Sequence, residues 1–87
     1  MNFRITRHAE DEMARRGIPH HLIKSVLEEP QQIVPAFGGR KVYQSQIDFG
    51  RGKIYLVRVI VDDRMRPPTV ITLYRTTRVA KYWRPET

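Results

Sequence analysis

The sequence predicts an α+β domain in which a short first strand and two helices precede an antiparallel sheet of three to four strands. Three observations carry this expectation. Apolar residues in the first third recur at helical spacing. After Pro30 the pattern changes to alternation. Glycine pairs at Gly38-Gly39 and around Arg51 then divide the remainder into strand-length pieces. The chain has 87 residues and is read as one domain, 1–87. A chain of that size buries only roughly 60–65% of its unfolded surface. The expected core is therefore thin, one sheet with helices on one face.

Each element has its own local signal. Residues 2–5 alternate and suit a short strand. Thr6 is a good N-cap for a helix over Arg7–Arg16, whose Ala9 and Met13 are spaced to meet a core. Gly17 fits the left-handed position just past a helix end. Pro19 opens a second helix, and Ile18, Leu22, Ile23, Val26 and Leu27 form one apolar stripe on it. Glu28-Glu29-Pro30 ends it, with an acidic pair that opposes the helix dipole. Gln32–Phe37 reads as a short strand that Pro35 confines to an edge. Arg40–Ile47, Lys53–Val61 and Thr69–Arg75 read as further strands, the second rich in Ile, Val and Tyr. Gly50-Arg51-Gly52 and Asp62–Pro68 are the turns between them, and short turns make these strands neighbours. Thr76–Trp83 is a short helix or an ordered tail.

The charge balance narrows the partner. Sixteen Lys and Arg stand against nine Asp and Glu, a net charge of +7. Such a field attracts polyanions and speeds their encounter, which favours nucleic acid over a purely solubilising role. Cysteine is absent, which leaves no disulfide and no thiolate metal site. Met1–Thr6 is not followed by the apolar region of a signal peptide, and no apolar run reaches the length of a membrane span. The setting expected is cytoplasmic, without a membrane partner.

Three clusters can carry chemistry. His8, Glu12 and Arg16 follow at i, i+4 and i+8, so an imidazole, a carboxylate and a guanidinium share one helix face. Glu12 is placed to accept from both neighbours. A carboxylate beside an imidazole orients it and favours its charged form, which suits a general acid or base. An ordinary ion-paired surface row has the same spacing. In the strands, Arg58 shares a face with Ile54, Leu56 and Ile60, and Val70, Thr72 and Tyr74 share another. A polar group among apolar neighbours needs a partner, either a bound anion or a structural carboxylate such as Glu12. In the tail, Arg75, Arg78, Lys81, Tyr82, Trp83 and Arg84 interleave cations with aromatic rings. That mixture stacks bases and holds phosphates, and equally closes the bottom of a small core.

Cleavage of RNA without a metal needs a group to take the 2′-hydroxyl proton, cations for the phosphorane charge and a group to protonate the leaving oxygen. His8, Arg16, Arg58 and Tyr74 are chemically able to fill these roles. No cofactor is expected. A metal site is not expected either, because His20 and His21 are adjacent and diverge on a helix. No phosphate-cradling glycine motif and no nucleophile-elbow serine is present.

The chain resembles an uncharacterised bacterial domain family of unknown function. The motif runs His8-Ala9, then Met13, then Arg16-Gly17-Ile18, with a helix ending at Pro30. Gly39-Arg40 and Tyr43 follow, and Val70-Ile71-Thr72-Leu73-Tyr74 closes the pattern. The resemblance spans roughly Ile5–Tyr82. That family is similar to the RelE and BrnT toxins of toxin–antitoxin systems and to the wider barnase, RelE and colicin-type nuclease fold. The resemblance implies a metal-independent endoribonuclease acting on messenger RNA, with an antitoxin protein as partner. It implies His8 as the helix-borne acid or base, Arg16 as a phosphate ligand, and Thr72 and Tyr74 as the sheet end of the site. Arg40, Arg75, Lys81 and Tyr82 are taken as further RNA contacts. One position departs from the pattern: Glu12 stands where the family has Arg, an anion in place of a cation. Two other readings stay open beside a ribonuclease toxin. One is a non-catalytic nucleic-acid-binding module, the other a protein–protein adaptor with an acidic partner.

Overall fold

In the computed structural model, which describes residues 2–85, the chain forms five strands and three short helices. The order is β1 (Arg4–Ile5), α1 (Arg7–Arg15), α2 (His20–Glu28), β2 (Gln32–Pro35), β3 (Lys41–Asp48), β4 (Ile54–Asp62), β5 (Thr69–Thr76) and α3 (Val79–Tyr82). A tight turn at Phe37–Gly39 replaces the outer end of the strand expected over Gln32–Phe37. No helix among the described residues is long and apolar enough to cross a membrane.

The sheet corrects the expected strand count and direction. It has five strands in the order β1-β5-β4-β3-β2, and β1 pairs in parallel with β5 at one edge. The other pairings are antiparallel. The parallel pairing follows from the helices. After β1 the chain crosses one face of the sheet through α1 and α2 and re-enters at the far edge as β2. It then returns by short turns through β3 and β4 to β5, alongside its own start. A two-residue strand carries too little pattern to reveal this partner. Its placement rests on Arg4 N donating to Pro68 O at 2.9 Å and Thr6 N donating to Val70 O at 3.2 Å.

The helices cover one face. Ala9, Met13, Ile18, Ile23, Val26 and Leu27 pack on Val57, Val59, Val61, Val70 and Leu73. A β-bulge between Ile60 and Val61 moves Val70 to this side. Val70 therefore does not share a face with Thr72 and Tyr74, against simple alternation. The opposite face carries Val34, Val42, Gln44, Leu56, Arg58, Ile60, Thr72 and Tyr74, as the strand register requires.

Two local devices fix α1. Thr6 Oγ1 accepts from Ala9 N at 3.1 Å and donates to Ile71 O at 3.2 Å. One hydroxyl thus caps the helix and anchors it to β5. At the other end, Glu12 accepts from Arg15 Nη2 at 2.7 Å and Arg16 Nε at 3.1 Å, and its residue is 8% exposed. The hydrogen bond from Arg15 is the main reason the Glu12 carboxyl lies below its ordinary value; burial opposes this, and Arg16 reinforces it.

Two outcomes follow. Thr6→Ala removes the cap and lowers stability by about 1 kcal/mol, seen as a lower urea midpoint at unchanged m-value. An unaltered midpoint contradicts the capping role. The depressed Glu12 value means that this group stabilises the fold above the ordinary carboxylate range. That stability is lost as the pH falls through the unfolded value towards the folded one. The difference in melting temperature between the native chain and Glu12→Gln should thus be widest at neutral pH and narrow on acidification. A gap that widens in acid contradicts it.

Candidate functional site

The face of the sheet away from α1 and α2 gathers most of the candidate residues. Cross-strand pairing aligns Gln32, Gln44, Arg58 and Tyr74 in one row. Arg58 donates from Nε to Gln44 Oε1 at 2.9 Å and from Nη1 to the Tyr74 hydroxyl at 2.6 Å. Gln44 is fully buried and passes the chain on, donating to Gln32 Oε1 at 2.8 Å and to the Tyr82 carbonyl at 3.3 Å.

The tail closes over this row. α3 brings the Tyr82 ring onto the Arg58 guanidinium, 4.2 Å from ring centroid to Cζ. Tyr74 and Tyr82 meet edge to face at 6.2 Å. Gln32 also holds the Arg84 backbone on both its N–H and its carbonyl. Tyr82 therefore packs on the sheet and stands at the polar row.

Arg58 is half-buried, yet its partners are all neutral. Among the described residues, no carboxylate oxygen lies within ion-pair distance of it; the ion pairs found use Glu10, Glu12, Asp62 and Asp63. Neutral hydrogen bonds and a ring face orient a guanidinium without cancelling its charge. The two phenols are pushed apart. Burial is the main reason Tyr74 lies above its ordinary value, against the pull of Arg58. The Tyr74 hydroxyl beside it is the main reason Tyr82 lies below its own, with burial opposing and the Lys81 charge adding to the fall.

His8 reaches the same face from α1. Its Nε2 lies 3.1 Å from Thr72 Oγ1, and Thr72 is two residues along β5 from Tyr74, roughly 7 Å at strand spacing. The ring does not bond Glu12, contrary to the expected row. Glu12 is occupied by Arg15 and Arg16, both nearer the helix end. The Glu12 carboxylate is thus paired at the end of its own helix.

The remaining candidates lie elsewhere. Arg16 is eight residues from His8, roughly 12 Å along the helix axis, and is paired with Glu12. Arg75 is on the helix-side face, its Cζ 4.5 Å from the Phe49 ring centroid and 4.6 Å from that of Tyr55. Lys81 is exposed beside Tyr82, with Nζ 5.3 Å from the ring centroid. Arg40 stands at the end of the sheet, 4.0 Å from Asp62. Gln44 and Gln32 were missed from sequence. Their one signal was a glutamine at a position of β3 that alternation reserves for apolar residues, opposite a strand arginine. No group of three or more His, Asp or Glu side chains able to hold a metal ion occurs among the described residues.

Comparison with known proteins gives one match. No curated protein and no solved structure matches the chain. A family described as a domain of unknown function, DUF4258, matches residues 5–75, which runs from the last residue of β1 through most of β5 and leaves α3 and Tyr82 outside. The chain therefore belongs to the DUF4258 domain family.

Proposed function

We propose that this protein is a metal-independent endoribonuclease of RelE-like type, cleaving RNA on the open face of its sheet. The single observation behind this reading is Arg58, a half-buried guanidinium with neutral partners only. A charge held without a carboxylate is ready for an external anion, and arginine matches phosphate geometry well. The net charge of +7 draws a polyanion to it.

The chemistry follows from the neighbours. The 2′-oxygen attacks phosphorus as its proton passes to a base. The bond from phosphorus to the 5′-oxygen then breaks, and that oxygen takes up a proton. The products are a 2′,3′-cyclic phosphate and a 5′-hydroxyl. His8 serves as one proton carrier, and the Tyr74–Tyr82 pair, with its separated proton affinities, serves as the other. Arg58 offsets the negative charge that builds on the phosphorane. Arg16, tied to Glu12, contributes to the field and not to direct contact. The resemblance to toxins adds an antitoxin chain as the protein partner.

A second reading has its own support. His8 is exposed and its ring hydrogen-bonds Thr72 Oγ1, which is also what a non-catalytic RNA-binding module would have. Purified protein incubated with single-stranded RNA and EDTA separates the two. The nuclease reading expects fragments ending in cyclic phosphate, with His8→Ala slower by about 10²- to 10⁴-fold. The binding module expects intact RNA, bound with a salt slope of about 0.7 per phosphate contact and insensitive to His8→Ala. RNA left both uncut and unbound, with and without ribosomes, sinks both.

A further inference from the structure

The surface feature least explained by folding lies in the turn between β2 and β3. The turn Phe37–Gly39 projects a phenylalanine that is 99% exposed. Fully solvated, that ring contributes nothing to the core and forgoes the stabilisation that burial gives. The turn beneath it is nonetheless well braced. Ala36 N donates to Arg40 O at 2.8 Å and closes it. Gly38 and Gly39 take φ of 76° and 78°, a backbone that residues with side chains rarely adopt. The Arg64 guanidinium lies close against Gly39, so that a Cβ there would meet Arg64 Nη1 at 2.9 Å. Arg64 is itself clamped by both oxygens of Asp62, at 3.0 Å each.

The surroundings of the turn carry a small cationic excess. Arg40, Lys41 and Arg64 stand against Asp62 and Asp63, which pair with them. A groove of about 320 Å³ opens beside the turn, with Ile33, Val34 and Pro35 as its apolar wall and Arg40 and Lys41 at its rim. An aromatic face, an apolar wall and guanidinium groups together suit an unpaired base with its flanking phosphates. An apolar protein segment would gain nothing from the cations, and a duplex offers no free base. Asp62, which carries Arg40 and Arg64, stands four residues from Arg58 along β4, roughly 13 Å at strand spacing.

We propose that this tip is a nucleobase subsite for single-stranded RNA, in which an unpaired base stacks on Phe37 and its phosphates lie in the field of Arg40, Lys41 and Arg64. The proposal rests on the RNA reading above and deepens it. It makes the substrate single-stranded and gives it a second anchor beyond the Arg58 site.

The test measures binding of a labelled single-stranded RNA of about ten nucleotides, and of the matching duplex, by anisotropy. The native chain is compared with Phe37→Ala, Phe37→Tyr and Arg58→Gln. Because Phe37 touches solvent alone, its replacement leaves the fold intact. Phe37→Ala should weaken single-strand binding by roughly tenfold at an unchanged salt slope and leave duplex binding as it was. Phe37→Tyr should keep the native affinity. Native affinity in Phe37→Ala, with a loss in Arg58→Gln, overturns the subsite and leaves the RNA reading standing. No RNA binding by the native chain overturns both. A dimer that Phe37→Ala dissociates, with RNA affinity unaltered, assigns the ring to a contact between copies and overturns the subsite.

Discussion

The open face of the sheet is organised by one constraint, the need to hold a guanidinium in a half-buried strand position without a carboxylate. Arg58 solves this with Gln44, Tyr74 and the ring of Tyr82. Each partner imposes a further demand. Gln44 is fully buried and must use its amide, so it reaches Gln32 and the tail carbonyl. Tyr82 can sit on the guanidinium only if the chain turns back after β5, which is what α3 does. The edge strand, the central strands and the tail are thereby joined through a single side chain. An apolar residue at position 58 would leave Gln44 and Tyr74 short of a partner, and such unmet groups are expensive when buried.

The helix side answers a different problem. α1 and α2 supply a thin apolar layer, and the first strand has only two residues with which to fix its place. Thr6 resolves this by acting on the helix and on β5 at once. The same anchoring sets where His8 emerges. Two residues after the cap, His8 leaves the helix towards Thr72 and the open face, so helix docking and the position of the imidazole are one event. Glu12, which as a sequence feature looked like an anion set against a phosphate site, is instead an internal brace for Arg15 and Arg16.

The two sheet faces divide the arginines by role. Arg58 and Arg75 sit in adjacent strands and both lie against aromatic rings. The register sends them to opposite sides, one to the polar row and one to the helix layer beside Phe49 and Tyr55. Basic and aromatic residues that interleave in sequence thus belong to separate environments. The family match ends at residue 75, so the tail that completes the Arg58 row lies beyond it.

Sequence by itself determined the class of the fold, the order of its elements and the identity of the cations. Helical stripes, alternation, Thr6, Gly17, Pro19 and Pro35 are local signals, and local backbone preferences decide them. It also paired Arg58 with Leu56 and Ile60, because alternation is a property of one strand. What tertiary structure alone decided is everything that depends on register between distant segments. The bulge at Ile60–Val61 reassigned Val70, the parallel docking of β1 followed from the path of the helices, and Thr72, not Glu12, received His8. The last two join residues about 65 positions apart in sequence. Their geometry is set by the packing of whole elements against one another, and no spacing along the chain records it.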